Sequence, residues 1–178
     1  MSEFKKASFE GKAGEFFKIW IINLFLSIIT IGIYSPWAKV INTKYLYGNI
    51  KVDEHRFDYI ANPIQILIGR VIAVFLLAIF FIISFDTNLY IFFLVVIFFL
   101  SPWIINRSMS FRMRMTTYRN VRFNFHGNYV ETLLYFIVFP FLSIFTLYLA
   151  LPAVLKKANQ YIIDNTVFGD RKFKSNLS

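Results

Sequence analysis

Glu15, Tyr45 and Asn49 recur as Glu131, Tyr161 and Asn165, each 116 residues farther along the chain. Both glutamates stand just ahead of, or within the first turn of, an apolar stretch. A carboxylate there interacts favourably with a helix N-terminus, an effect worth roughly 0.3–1 kcal/mol when exposed. The sharper alternative is a paired site for a cation or proton. Each asparagine follows its tyrosine by one helical turn, so the two side chains share a helix face. Asparagine at such a place caps the helix or turns the chain, and a ligand-binding pair is the rarer alternative. Arg70 stands just inside an apolar run. An ionisable group in a span marks a functional site by default, but so near the segment start its long stem can snorkel to the headgroups. Snorkelling is the expected behaviour.

Other chemistry is thin. His55 and His126 have no partner that would make either a catalytic base, and two histidines alone cannot cage a metal. Cysteine is absent, which removes disulfides, a thiolate nucleophile and sulfur-based metal sites. There is no phosphate-binding glycine loop, zinc-binding His-Glu pattern or nucleophile elbow. The stretch Gly11-Lys12-Ala13-Gly14 is too short and lacks a preceding strand. The chain is therefore expected to be no enzyme and to hold neither metal nor cofactor.

The matched residues belong to a longer self-alignment at the same separation. Phe9 and Gly11 meet Phe125 and Gly127, Phe25-Leu26-Ser27-Ile28 meets Phe141-Leu142-Ser143-Ile144, and Thr30, Pro36 and Phe57 meet Thr146, Pro152 and Phe173. Aliphatic matches come by chance in so apolar a chain; Gly, Glu, Pro, Tyr and Asn in one register do not. The reading is a duplicated unit. Many transporters are built from such repeats of broken helices.

Apolar residues make up 57% of the 178-residue chain, and 23 of them are phenylalanine. They cluster in four stretches, Ile19–Trp37, Val71–Phe85, Thr87–Ile105 and Thr132–Leu155, the last two free of charge. A membrane-spanning helix needs roughly 20 such residues, and a chain this short could not surround four buried helices. Membrane integration follows. The N-terminal stretch has no short apolar run with a small-residue cleavage site, so the first apolar segment is expected to stay in the mature chain. The formal charge of +9 lies between the apolar stretches, notably at Arg112, Arg114, Arg119 and Arg122. Basic loops beside spans mark the cytoplasmic side and touch anionic lipid; nucleic acid is the less favoured partner.

Along the chain, the unit reads as an apolar helix, a proline-marked break, a more polar helix and a short strand. Thr30, Gly32, Tyr34, Pro36 and Trp37 carry the first break, because proline cannot donate to the helical ladder and restricts its predecessor. Pro152 marks the second, and Ser101-Pro102-Trp103 repeats the Ser35-Pro36-Trp37 signal. Tyr118-Arg119-Asn120-Val121 echoes Tyr47-Gly48-Asn49-Ile50. Residues 51–59, 117–126 and 167–174 each read as one strand. The predicted architecture is a single all-α membrane domain of broken or re-entrant helix units with short cytoplasmic strands. Its repeat units are 9–59 and 125–174, with a central hairpin over 64–105 and a partial third copy over 101–126.

The runs Phe9-Glu10-Gly11, Thr30-Ile-Gly-Ile-Tyr-Ser-Pro-Trp-Ala-Lys39, Tyr45-x-Tyr47-Gly48-Asn49 and His55-Arg-Phe-Asp-Tyr59 resemble the YjgN-like family of bacterial inner-membrane proteins. The resemblance covers nearly the whole chain and is most specific over Gly32-Ile-Tyr-x-Pro-Trp37. That family is a domain of unknown function, so the resemblance implies an inner-membrane location and carries over no functional residue. Members are often longer, with more apolar segments, which implies a reduced version here. The second copy departs from the pattern, with Tyr148 matching Gly32 and Ala153 matching Trp37.

Charge distribution then shapes the expected topology. Four simple spans would divide the basic residues almost evenly between the two faces, against the positive-inside bias. If the first and fourth segments enter and return on one face, both termini and every basic loop become cytoplasmic. Non-helical backbone in hydrocarbon must be shielded, a need that Thr30, Ser35, Thr146 and Asn23 could meet in part. Two functions fit this outline. One is a small solute transporter or channel-like module acting as a homo-oligomer; the other is a scaffold holding anionic headgroups or a protein partner.

Overall fold

The structure is a computed structural model in which residues 6–175 are described. The described residues form two compact units, one comprising residues 6–82 and 115–121 and the other residues 83–114 and 122–175.

In the first unit, strand β1 (Ala7–Phe9) leads into helix α1 (Ala13–Ile29). Helix α2 (Ser35–Gly48) and strands β2 (Ile50–Val52) and β3 (His55–Tyr59) follow. Helix α3 (Pro63–Ile83) and strand β4 (Thr116–Tyr118) complete it. Strand β2 pairs antiparallel with β1 and β3, and β3 pairs with β4 through Phe57 opposite Tyr118. The second unit holds helix α4 (Thr87–Arg114) and strand β5 (Val121–Phe125). It continues with α5 (Tyr129–Leu133), a π-helical turn (Leu134–Val138), α6 (Phe139–Ser143) and a 3-10 turn (Ile144–Thr146). Helix α7 (Leu151–Asp164) and strands β6 (Thr166–Phe168) and β7 (Arg171–Lys172) close it, with β6 paired antiparallel to β5 and β7. Seven strands thus accompany the helices among the described residues, so the architecture is helical with a substantial β component rather than all-α.

Each segment read as one strand contains a turn. Asp53 and Glu54 sit at φ 51° and 64°, and Arg119 and Asn120 at 51° and 62°. Two consecutive left-handed residues make the two-residue hairpin turn whose twist matches that of its strands. Alternation of apolar and polar residues runs through these turns without a glycine at the first two, and this hides them from the sequence. Tyr118 therefore ends a strand, whereas Tyr47, its sequence echo, lies in α2.

Among the described residues, three helical stretches are long and apolar enough to cross a membrane: Pro63–Ile83, Thr87–Arg114 and Tyr129–Thr146. The first apolar segment is not among them, because α1 stops at Ile29. The expected break at Ser101-Pro102 is also absent, and α4 runs straight through a fully buried Pro102. A proline orphans the carbonyl four residues earlier. Here Ser101 Oγ donates to that carbonyl, Phe98 O, at 2.7 Å, and Tyr129 Oη donates to Phe99 O at 2.6 Å. Pro36 differs: it lies in the first turn of α2, where no ladder bond is lost, and Gly32 O accepts from both Ser35 N–H (3.1 Å) and Ser35 Oγ (2.5 Å). Ser101 thus repairs the ladder at Pro102, and the break before Pro36 has another cause.

That cause is the end of α1. Ile31 N–H donates to Ile28 O and Gly32 N–H to Ser27 O, the paired bonds of a helix terminated by a left-handed residue. Leu147 N–H to Ile144 O and Tyr148 N–H to Ser143 O repeat the pattern in the second unit. Ile31 at φ 51° and Leu147 at 49° occupy the position where glycine is usual. Thr30 and Thr146 hydroxyls then accept from Tyr34 N–H (3.0 Å) and Ala150 N–H (3.3 Å), fastening each elbow.

Candidate functional sites at an elbow and a strand end

In the first unit the polar side chains of α1 and α2 meet near the elbow. Asn23, nearly fully buried, donates to Asn42 Oδ1 at 2.9 Å, and Tyr34 Oη donates to Asn23 Oδ1 at 3.3 Å. Tyr34 also stacks on Trp37, and Pro36 is fully buried beside them. Arg70 on α3 hydrogen-bonds through Nη1 to Ser35 Oγ. The guanidinium thus touches the elbow that Gly32 and Ser35 form, and sequence reasoning did not join these residues.

At the strand end of this unit, Tyr45 Oη donates to Lys12 O at 3.1 Å and lies 3.2 Å from Glu15 Oε2. Glu15 also pairs with Lys12 at 3.4 Å. Asn49 follows the last residue of α2, donates to Tyr45 O at 2.7 Å, and its carbonyl accepts from Glu10 N–H. Asn49 is therefore a cap, as its position suggested.

The second unit repeats that anchor and elaborates it. Tyr161 Oη donates to Asn128 O at 3.1 Å, Asn165 donates to Tyr161 O at 2.9 Å, and Asn165 O accepts from His126 N–H. Thr132, with no exposed surface, lies 2.7 Å from Tyr161 Oη and 2.8 Å from Asn106 Oδ1 and Asn128 O. Burial pushes the Tyr161 phenol above its ordinary pKa and the Glu131 carboxylate acts in the same direction, so the hydroxyl stays protonated. Gly127 lies against this cluster: a Cβ there would meet Asn106 Oδ1 at 2.4 Å and Tyr161 Oη at 2.5 Å. Sequence reasoning found Tyr161, Glu131 and Asn165 but missed Asn106, Asn128 and Thr132. Their signal was faint, a few short polar residues bordering apolar runs.

Glu131, Tyr135, Lys157, Gln160, Tyr161, Asp164 and Asn165 line a recess of about 350 Å³. Glu131 lines this recess, whereas Glu15 is held by Lys12 and Tyr45. Trp103 is 60% exposed, and Pro152 is exposed at the start of α7. Of the four arginines, Arg119 approaches Asp53 at 3.9 Å, Arg114 Nε donates to Ser110 O, Arg112 lies toward the end of α4 and Arg122 lies on β5. The described residues contain no group of three or more His, Cys, Asp or Glu able to hold a metal ion.

The sequence pattern of the bacterial protein family of unknown function DUF898 matches residues 4–178. The chain is 28% identical over 151 residues to the inner membrane protein YjgN of Salmonella typhimurium, an alignment covering 80% of this chain and 37% of that protein. It is 45% identical over 51 residues to the inner membrane protein YjgN of Escherichia coli K12, covering 29% and 13% respectively. The chain therefore spans well under half the length of these relatives. No solved structure matches it.

Proposed function

The chain belongs to the bacterial protein family of unknown function DUF898, and from that premise we propose a non-catalytic module of the bacterial inner membrane. It enters the bilayer from one face, the cytoplasmic one, and holds anionic phospholipid headgroups there. One observation carries the reading: hydrogen-bonded strands bracket each pair of helical segments. Strands β1 and β2 bracket α1–α2, β3 and β4 bracket α3–α4, and β5 and β6 bracket the segments from α5 to α7. A path that leaves one strand and returns to its bonded partner has no net crossing. The turns Asp53-Glu54 and Arg119-Asn120 are too short to cross a bilayer, so every strand falls on one side.

Helix lengths support the same picture. Helices α2 and α7 have 14 residues each, about 21 Å at 1.5 Å per residue, against a hydrocarbon core of roughly 30 Å. They return shallowly, with Lys39, Lys44, Lys156 and Lys157 at the interface. The Arg70–Ser35 contact also favours a shallow first elbow, since Arg70 lies only two turns into α3. The two elbow-containing segments then form a duplicated re-entrant unit, and α3 with α4 is the transmembrane hairpin. The basic residues Arg112, Arg114, Arg119 and Arg122 gather at the strand side, where each Lys or Arg contributes about 1 kcal/mol toward an anionic leaflet.

A homo-oligomeric solute pathway competes with this reading. It would use the elbows, but the Asn23, Asn42 and Tyr34 side chains bond to one another, and among the described residues no buried side-chain polar atom is left without a partner. The test combines two measurements on proteoliposomes. Cysteines introduced near Arg56 and near Arg112 should label only from the cytoplasmic face, and native mass spectrometry should find anionic lipid retained above its bulk fraction. Labelling from the periplasmic face, or retained lipid that mirrors the bulk, would overturn the proposal.

A further inference from the structure

The recess in the second unit carries a more specific reading, which rests on the one-sided lipid-binding module above. Its walls are two helix faces. Lys157, Gln160, Tyr161 and Asp164 fall on one face of α7, and Glu131 and Tyr135 lie one turn apart on the opposing segment. Lys157 brings a cation, and Glu131 and Asp164 bring anions. Neither the Glu131 carboxylate nor the Lys157 ammonium has an ion-pair or hydrogen-bond partner among the described residues. Tyr135 and Tyr161, with ring centroids 5.6 Å apart, supply the aromatic part of the lining. The volume of about 350 Å³ falls at the small end of ligand sites.

The first unit serves as an internal control. Its equivalent glutamate, Glu15, is occupied by Lys12 and Tyr45, and Ile41 and Gly48 stand where Lys157 and Asp164 do. Helix α1 is also regular throughout, whereas Tyr135 lies in the π-helical turn Leu134–Val138. Pro140 explains that turn, because its ring clashes with the carbonyl of Phe136 in a regular helix. Such turns recur at functional sites because they redirect side chains; this one coincides with the recess and has no counterpart in α1.

The geometry points to a binding site for a headgroup that carries a phosphate and a primary ammonium together, as in phosphatidylethanolamine. Lys157 takes the phosphate and Glu131 takes the ammonium through charge-assisted hydrogen bonds, assisted by Asp164 Oδ2, since Asp164 Oδ1 already accepts from Ser175 N–H at 2.6 Å and Ser175 Oγ at 3.0 Å. A choline headgroup has no N–H to donate and a glycerol headgroup has no cation, so both leave the carboxylates unmatched. Acyl chains lie along the apolar surface of α5 and α6, where Val130 and Phe141 are exposed.

The experiment uses the full chain in bilayers of equal phosphatidylethanolamine, phosphatidylcholine and phosphatidylglycerol, with retained lipid identified by native mass spectrometry. Ethanolamine lipid should be retained over choline lipid. The double variant Glu131→Gln with Asp164→Asn should lower that preference roughly tenfold, as loss of a charge-assisted bond implies. Glu15→Gln should leave it intact. The exposed Lys157→Gln, which touches no buried contact, provides a second reading should the double variant fail to fold. Excess soluble glycerophosphoethanolamine should compete only at a site that reads the headgroup without its chains, identifying free headgroup as an alternative source. Equal retention of ethanolamine and choline lipids, or a preference unchanged in both the double variant and Lys157→Gln, would sink the site. Retention of phosphatidylglycerol tests the basic strand face separately, so the site and the broader reading fail independently.

Discussion

The two units hold their helices with the same few bonds and differ in where they bury polar groups. In each, a tyrosine near the end of the second helix donates to the carbonyl that opens the first, an asparagine closes that helix, and a left-handed residue ends the first one. The first unit then buries Asn23 with Asn42 near its elbow; the second has Phe139 and Ala158 at those positions. The second instead buries Thr132 against Tyr161 and Asn106 at its strand end, where the first has Phe16. Backbone geometry thus depends on anchors and elbows, and the packed polar cluster is free to move along the hairpin. With its polar cluster at the strand end, the second unit leaves Glu131 without the bonds that occupy Glu15, and Glu131 lines a recess instead.

The sharpest way to separate the units is their shared glycine. Gly127→Ala should cost about 2–3 kcal/mol by overpacking, since the new Cβ meets buried Phe125 and the Asn106–Tyr161 pair. Gly11→Ala meets mainly the ring of Phe9, which is 56% exposed and can swing away, so it should cost well under half as much. Thermal unfolding in detergent micelles measures both; equal losses would break the distinction between a packed and an open anchor.

Next come the tyrosines themselves. Tyr161→Phe leaves Thr132 and Asn106 short of a buried partner and should cost roughly 1–3 kcal/mol. Tyr45→Phe removes exposed bonds and should cost about 0.5–1 kcal/mol. The same unfolding measurement reads both, and a larger loss at Tyr45 would place the dominant polar cluster in the wrong unit.

The elbows should respond in the opposite direction. Ile31→Gly and Leu147→Gly relieve a left-handed strain of about 1 kcal/mol, offset in part by the entropy of a glycine in the unfolded chain. A net gain of a few tenths of a kcal/mol is expected at each, larger at Ile31 because its β-branch tolerates φ 51° least. Loss of stability at both would mean that these side chains pack in the folded state. Pro36→Ala probes the same elbow with a smaller effect, because the left-handed residue ends α1 whether or not proline follows. Unchanged labelling topology in that variant is the expected result.

Much of the helical framework was legible because apolar length and the spacing of Pro, Tyr and Asn report directly on backbone needs. Asn49 and Asn165 were recognisable as caps from their place after an amphipathic run. The strands were harder. Segments such as Thr117–His126 alternate without interruption, and the left-handed pair Arg119-Asn120 carries no glycine to betray a turn. Pro102 misled for a different reason: a proline signals a break only if its orphaned carbonyl stays orphaned, and Ser101 prevents that. Thr132 and Asn106 escaped notice since a buried polar bond depends on two elements meeting, which neither sequence neighbourhood records. Arg70 likewise gained its Ser35 contact from the fold.

Bracketing every helix pair with bonded strands has a consequence for how such a chain can change its length. A helix pair that returns to its own strand partner contributes an even number of passages, whether it crosses fully or dips and comes back. Adding or deleting one pair with its strands then leaves the orientation of all the others unaltered. A protein whose helices alternated singly across the bilayer would invert everything downstream at each such event. This chain aligns over 37% of the length of one relative, and parity allows longer and shorter members of such a family to keep their basic faces on the same side.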